Sequence, residues 1–305
     1  MKSAPSVDAF DVAPHPEALS GTLPSGGFGL TALWTLYLLT LRQHLHGKRW
    51  WVVGFLFLLA PGLAILMRAT APDVKSIQLE FMLGFMFIPQ ALLPLVALLY
   101  ASGIIRDEQE EQTMTYLLIR PIPKWALYVV KLLATLTTTV LLATVFTALT
   151  YAAIYVGGDT HGENIPLRCL KAASIHALAV VSYCCLFGLI SLLTKWSLLA
   201  GILYAVIFEA VIANLEFGIR FGTIIYYTRV IAYRSLDFAV SSQRGTQDLA
   251  ANTWKFNIAT DPKLLEHPQL STCIIVLLAG SLVCTLLAAF LCSQREFHVK
   301  TPEKN

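Results

Sequence analysis

The apolar residues of this chain are gathered into long unbroken runs, and that arrangement limits the available folds more than any motif does. The stretch "WWVVGFLFLLAPGLAILM" (50–67) carries no charge, and five further runs follow at 81–105, 126–156, 172–194, 197–215 and 271–292. Each approaches or exceeds the roughly 18 residues that carry a helix across a bilayer. A soluble core would instead spread its apolar residues over one face of each helix. Only 13% of the 305 residues are charged and 56% are hydrophobic, against about 25% charged in a soluble domain. The reading is an all-α polytopic membrane protein with six transmembrane helices and no nucleic-acid partner.

The flanks differ. Residues 1–29 lack an apolar core and are interrupted by Pro5, Pro14, Pro16, Pro24 and Gly26-Gly27. This predicts a disordered tail rather than a cleaved signal. Residues 30–49 form an interfacial segment, 50–292 the six-span domain, and 293–305 a second tail. Cys184, Cys185, Cys284 and Cys292 lie in apolar runs, where thiols act as small hydrophobes. Cys169 and Cys273 fall near the outer side, and spacing leaves their pairing open.

Basic residues set the orientation. Arg42, Lys48 and Arg49 precede the first span; Arg106, Arg120 and Lys124 follow the second, Lys195 the fourth, and Arg295, Lys300 and Lys304 the sixth. The short opposing loops hold Arg68, Lys75, Arg168 and Lys171. This bias predicts that both termini are cytoplasmic. The six basic residues from Arg220 to Lys263 fall in an outer loop, 217–270, that approaches the length at which loops cross regardless of charge.

Within the spans, Thr135, Thr139, Ala143 and Thr147 recur every four residues. Such spacing suits close helix packing within the bundle first, with the lining of a translocation path as the other reading. Pro61-Gly62, and Pro89 with Pro94, predict bent helices. Lys131 is expected to snorkel to the inner surface. Glu209 is the clearest intramembrane acid, and an ionised carboxylate there costs roughly 2.5–3.5 kcal/mol. It reads either as a translocation-path contact, with Thr135 and Thr139, or as a hydrogen-bonded group near the outer interface. "FGIRFGTIIYYTRVIAYRSL" (217–236) sets Tyr226, Tyr227 and Tyr233 beside Arg220, Arg229 and Arg234, which suits surface or re-entrant helices. His44 with His46, and His161 with Glu163, lack the three or four converging ligands of a metal site.

Two segments lie outside the spans. Leu30, Leu33, Trp34, Leu38, Leu41 and Leu45 make one helical stripe, closed by Arg42, His44, His46, Lys48 and Arg49. That pattern predicts an amphipathic helix in the headgroup region, its basic end on anionic lipid. The other segment is "RDEQEEQTMTYLLIRPIPKW" (106–125). After Arg106, the acids Asp107, Glu108, Glu110 and Glu111 suit the positive N-terminal end of a helix. Thr113, Met114, Leu117 and Leu118 make an apolar stripe, and Pro121 stops the helix at Arg120. Acids on the inner face are repelled by anionic lipid, so their counterpart is a basic groove on another protein. A solvated loop is the alternative.

These residues carry a resemblance. "IIRDEQEEQTMTYLLIRPIPKWALYVVKLLA" is similar to the cytoplasmic coupling segment of type-2 ABC transporter permeases. The matching positions are Glu108 and Glu110, Thr113, Leu117-Leu118, Arg120-Pro121, Lys124, and Lys131 opening the next span. Gln112 stands where a glycine often precedes the Thr, and Thr115 where an acid is common. The resemblance implies a permease subunit of an ATP-driven exporter in the plasma membrane of a bacterium, paired with a second copy or a sister permease among membrane lipids. ATP and Mg would bind a separate ABC ATPase subunit docked on 106–125, leaving this chain without cofactor or catalysis. The resemblance also implies an outer gate formed before the last span by Tyr226, Tyr227 and Arg229, for which a lipid-facing cap is the other reading.

The sequence itself agrees that the nucleotide is held elsewhere. Its only Gly-Lys, in "RQHLHGKRW", lacks the first glycine and the Ser or Thr of a phosphate loop. Two other classes stay open. An ion-coupled carrier needs several mid-membrane polar residues and often paired broken helices. An intramembrane enzyme needs converging reactive groups, whereas Glu209 and His176 stand on different helices.

Overall fold

The computed structural model describes residues 30–71, 73–104, 123–156, 164–215, 218–242, 245–254, 256 and 267–294. Helix α1 (Leu30–His46) precedes six helices long and apolar enough to cross a membrane. These are α2 (Lys48–Thr70), α3 (Ser76–Ala101), α4 (Lys124–Tyr155), α5 (Ile165–Leu193), α6 (Ser197–Asn214) and α9 (Leu270–Gln294). Between α6 and α9 come a 3-10 turn (Gly218–Gly222), α7 (Ile224–Ser235), strands β1 (Ala239–Ser242) and β2 (Gly245–Asp248), and α8 (Leu249–Trp254). The all-α expectation therefore holds apart from one antiparallel hairpin, whose register runs from Ala239↔Asp248 to Ser242↔Gly245.

Segment 105–122 joins the C-terminus of α3 to the N-terminus of α4; that end of the bundle is called proximal here and the opposite end distal. Helices α3 and α5 are the most enclosed spans, while α2, α6 and α9 turn large apolar side chains such as Leu66, Leu203 and Leu282 outward. Without water on that side, burial alone does not hold such helices together, so close packing must. Gly201 meets that need: a Cβ there would lie 2.2 Å from Leu98 Cδ1. The small-residue stripe of α4 is equally tight. Thr135, Thr139, Ala143 and Thr147 are all buried, and Thr139 and Thr147 face Cys184 and His176 of α5.

Pro89 leaves a local widening. Residues Glu80–Leu92 form a π-helix, and the Leu93 N–H reaches back five residues to the Ile88 carbonyl. The proline has no N–H of its own, and a looser coil relieves the clash of its ring with the preceding turn. A second π segment, Ala205–Val211, lies in α6.

Helix α1 packs on α4 through an edge that includes polar groups. Leu36 and Thr40 are buried, and Tyr37 donates a 3.0 Å hydrogen bond to Thr137 Oγ1. The stripe residues Leu30, Trp34, Leu38 and Leu45 stay exposed, leaving that apolar face for lipid. All six cysteines, Cys169 and Cys273 included, are free thiols.

Candidate functional site

At the proximal end, Arg106, Asp107, Glu108, Glu110, Glu111, Thr113, Leu117, Leu118, Arg120 and Pro121 lie outside the described residues, and so do His161 and Glu163. The flanks of the segment are described, and each is tied to the bundle. Lys131 does not snorkel: it is buried, and its Nζ donates to the Ile104 carbonyl at 3.1 Å. Just past the C-terminus of α3 that carbonyl sits among unpaired acceptors and partial negative charge, which draw the ammonium inward. On the other flank, Pro123 is extended and its carbonyl accepts the N–H groups of Ala126 and Leu127. Cys292 Sγ of α9 lies 3.4 Å from the Lys124 carbonyl. The flanks of 105–122 are therefore tied to α3, α4 and α9.

The distal end is built around Glu209. The carboxylate is fully buried, and Oε1 accepts from Tyr204 (2.9 Å) and the Ile224 N–H (3.1 Å), while Oε2 accepts from the Ile225 N–H (2.9 Å). It thus caps the N-terminus of α7, where unpaired N–H groups and the helix dipole favour an anion. Glu209 lies five residues before the end of α6, so α7 starts beside the last turns of that span. Arg229, one turn further along, donates to Asn214 Oδ1 at 2.9 Å. At the other end of α7, Lys171 of α5 donates to the Ser235 carbonyl at 2.9 Å. Both dipole ends of α7 are matched by charged side chains from neighbouring spans.

Beneath the hairpin sits an ion pair that the sequence did not announce. Glu80 belongs to the second span, which begins at Ser76 rather than 81, and Arg168 lies within α5, which begins at Ile165 rather than 172. Arg168 Nε is 3.2 Å from both oxygens of Glu80. Tyr151 (2.7 Å) and Tyr155 also donate to the carboxylate. Arg168 Nη2 continues to the Asp237 carbonyl at 2.9 Å, linking α3, α4 and α5 to the chain entering β1. An aromatic cluster seats the same region, with Phe238 5.4 Å from Phe81 and 5.1 Å from Phe85, ring to ring.

The expected gate residues share α7 but play separate parts. Tyr226 is buried, its hydroxyl 2.8 Å from His267 Nδ1, and burial pushes its pKa up to about 12. Tyr227 is half-buried against a cavity shared with α5, α6 and α9. Burial lowers the Arg229 pKa to about 10, so it remains a cation at neutral pH. Thr135 faces His44 Nε2 of α1 at 3.2 Å, and Thr139 returns its hydroxyl to the Thr135 carbonyl.

His176 is satisfied in place. Its Nε2 lies 2.9 Å from the Gly84 carbonyl, which only accepts, so Nε2 carries hydrogen; Nδ1 lies 2.8 Å from the Thr147 hydroxyl, which also donates to the Ala143 carbonyl at 2.6 Å. Among the described residues no group of three or more His, Cys, Asp or Glu side chains is placed to hold a metal ion.

The sequence model of a family described as ABC-2 family transporter protein matches residues 44–212. The match covers more than half of the chain and runs from the end of α1 to the last turn of α6, leaving out α7, the hairpin and α9. No curated protein matches the chain.

Proposed function

We propose, from the premise that this chain belongs to the ABC-2 family of transporter proteins, that it is the membrane-spanning subunit of an ATP-driven exporter in the plasma membrane. The observation that carries the reading is the family match across five of the spans together with the acidic segment between α3 and α4 that it encloses. A separate ABC ATPase binds ATP and Mg and docks on 106–125 from the cytoplasm, where both termini also lie. The docked segment, stiffened by Pro121 and Pro123, moves the α3–α4 pair, and Lys131 and Cys292 carry that displacement into the bundle. Helix α7, with Tyr226, Tyr227 and Arg229, closes the path on the outer side, and Glu209 sets its resting position.

A second permease copy completes the path, and the outward apolar faces of α2 and α6 are available to receive it. The exposed stripe of α1 rests on the inner leaflet. The carrier and enzyme alternatives gain nothing from the buried titratable groups: Glu80, Glu209 and His176 are each engaged by partners within the chain.

Glu108→Lys with Glu110→Lys tests the docking. The variant should lose its co-expressed ATPase on affinity purification while its thermal unfolding in detergent stays that of the parent. Full ATPase retention would overturn the coupling role.

A further inference from the structure

The cavity beside Tyr227 is not used by any step above. It measures about 200 Å³ and lies between α5, α6, the 3-10 turn, the start of α7 and α9. For scale, an apolar cavity of roughly 150 Å³ admits a benzene-sized molecule. Its walls include Leu186, Phe221, Val276 and Leu277. The polar atoms at its floor are already paired: Ser281 and Ser182 are 3.2 Å apart, and each also bonds a carbonyl of its own helix, Leu277 at 2.7 Å and Leu178 at 3.1 Å. The lining gives a polar solute little to bind.

Depth and shape narrow the occupant. Along α9 the lining runs from Val276 to Cys284, eight residues or about 12 Å, and it starts about 9 Å below the distal end of that span. The space is elongated, lies within the hydrocarbon zone, and opens sideways past Val276 and Phe221, which are both exposed. Next to the lining residues Phe221 and Gly222, on the same turn, stands Arg220. Its guanidinium lies over the rings of Tyr226 (5.3 Å) and Phe221 (5.9 Å). The Nε of Arg220 is buried with no hydrogen-bond partner among the described residues. The Tyr226 hydroxyl, bonded to His267 just before α9 begins, puts this level at the distal end of that span. An elongated apolar slot with an arginine near one end, its Nε without a hydrogen-bond partner among the described residues, matches an amphiphile with an anionic head.

We infer that this cavity is a lipid site: an anionic phospholipid of the distal leaflet lodges an acyl chain between α5, α7 and α9 and sets its phosphate on Arg220. The occupied slot supports the start of α7 from below. Its α5 and α6 wall lies within residues 44–212, whereas Arg220, the start of α7 and the α9 wall lie outside the family match, and its occupancy does not depend on the transport reading.

Native mass spectrometry of the full-length protein in detergent tests it, with phosphatidylglycerol and phosphatidylcholine of identical acyl chains as probes. The parent should retain one phosphatidylglycerol at least tenfold more tightly than phosphatidylcholine, as expected for a charge-assisted contact. Arg220→Gln should abolish the headgroup preference. Gly280→Leu should displace both lipids; Gly280 lines the slot and a Cβ there meets no atom within 4 Å, so a larger side chain adds bulk at the slot with no clash at its Cβ. Inorganic phosphate should not compete. Equal retention of the two lipids by the parent, an undiminished preference in Arg220→Gln, unchanged retention in Gly280→Leu, or displacement by phosphate would each overturn the proposal.

Discussion

Replacing Glu209 by glutamine separates the strength of one docking contact from the stability of the whole bundle. The carboxylate offers two acceptors to three donors, and Gln offers one oxygen and an NH2 group. If the amide oxygen keeps Tyr204 and Ile224, the Ile225 N–H, now 2.9 Å from Oε2, faces a donor. A buried donor left unpaired costs about 1–3 kcal/mol, and loss of the anion at a helix N-terminus adds up to about 2 kcal/mol. The docked state of α7 should therefore weaken by about 3 kcal/mol, or roughly a hundredfold in its opening equilibrium. Gln also lowers the cost of carrying a charge in the span by roughly 2.5–3.5 kcal/mol, whether or not α7 is docked. Global unfolding should consequently shift little. Hydrogen exchange read by mass spectrometry should show residues 224–235 exchanging about a hundredfold faster, with the core of α5 unchanged. Equal protection of α7 in parent and variant would refute the capping role.

Two more outcomes follow from the distal geometry. Arg168→Met leaves Glu80 buried without its cation and should cost about 3–5 kcal/mol, read as a lowered thermal midpoint in detergent. Glu80→Gln combined with Arg168→Met should recover most of that loss, and a double variant no better than the single would contradict the pairing. Tyr226 is the pH probe. Below pH 10 its phenol is neutral folded or unfolded, and the folded value is raised to about 12 by burial. Between those values the unfolded chain loses the proton first, so stability falls as pH rises. Phenolate absorbance should reveal a late-titrating tyrosine that Tyr226→Phe removes; no change in the late fraction would exclude the assignment.

How far the sequence could be read depended on the range of each interaction. The six spans rest on run length, which is local, and all six formed, the first, third, fifth and sixth close to the expected bounds, while α3 and α5 begin well before 81 and 172. The four-residue stripe on α4 was visible for the same reason, because i, i+4 neighbours share a face. The Tyr- and Arg-rich stretch before the last span pointed to surface or re-entrant helices, and a helix, α7, forms there.

What escaped were pairings between distant parts of the chain. Glu80 and Arg168 are 88 residues apart and each borders an apolar run, so each reads as a loop charge until the fold joins them. A signal was available, since opposite charges stood at the same side of two spans, yet nothing local links them. Lys171 and Lys131 were missed because the carbonyl ends they cap belong to other helices. The hairpin was hidden by its polar composition: "AVSSQRGTQD" alternates no apolar residues, and the segment is seated by Phe238 and Trp254 at its flanks.

The central claim is that the acidic segment and the pinned helix α7 occupy opposite faces of one membrane. Single cysteines at Gln109 and Gln247, each read against the parent chain as blank, test it in intact cells with a membrane-impermeant maleimide. Gln247→Cys should label in intact cells, and Gln109→Cys only after the membrane is permeabilised. Labelling of Gln109→Cys from outside, or of both positions from the same side, would contradict the account.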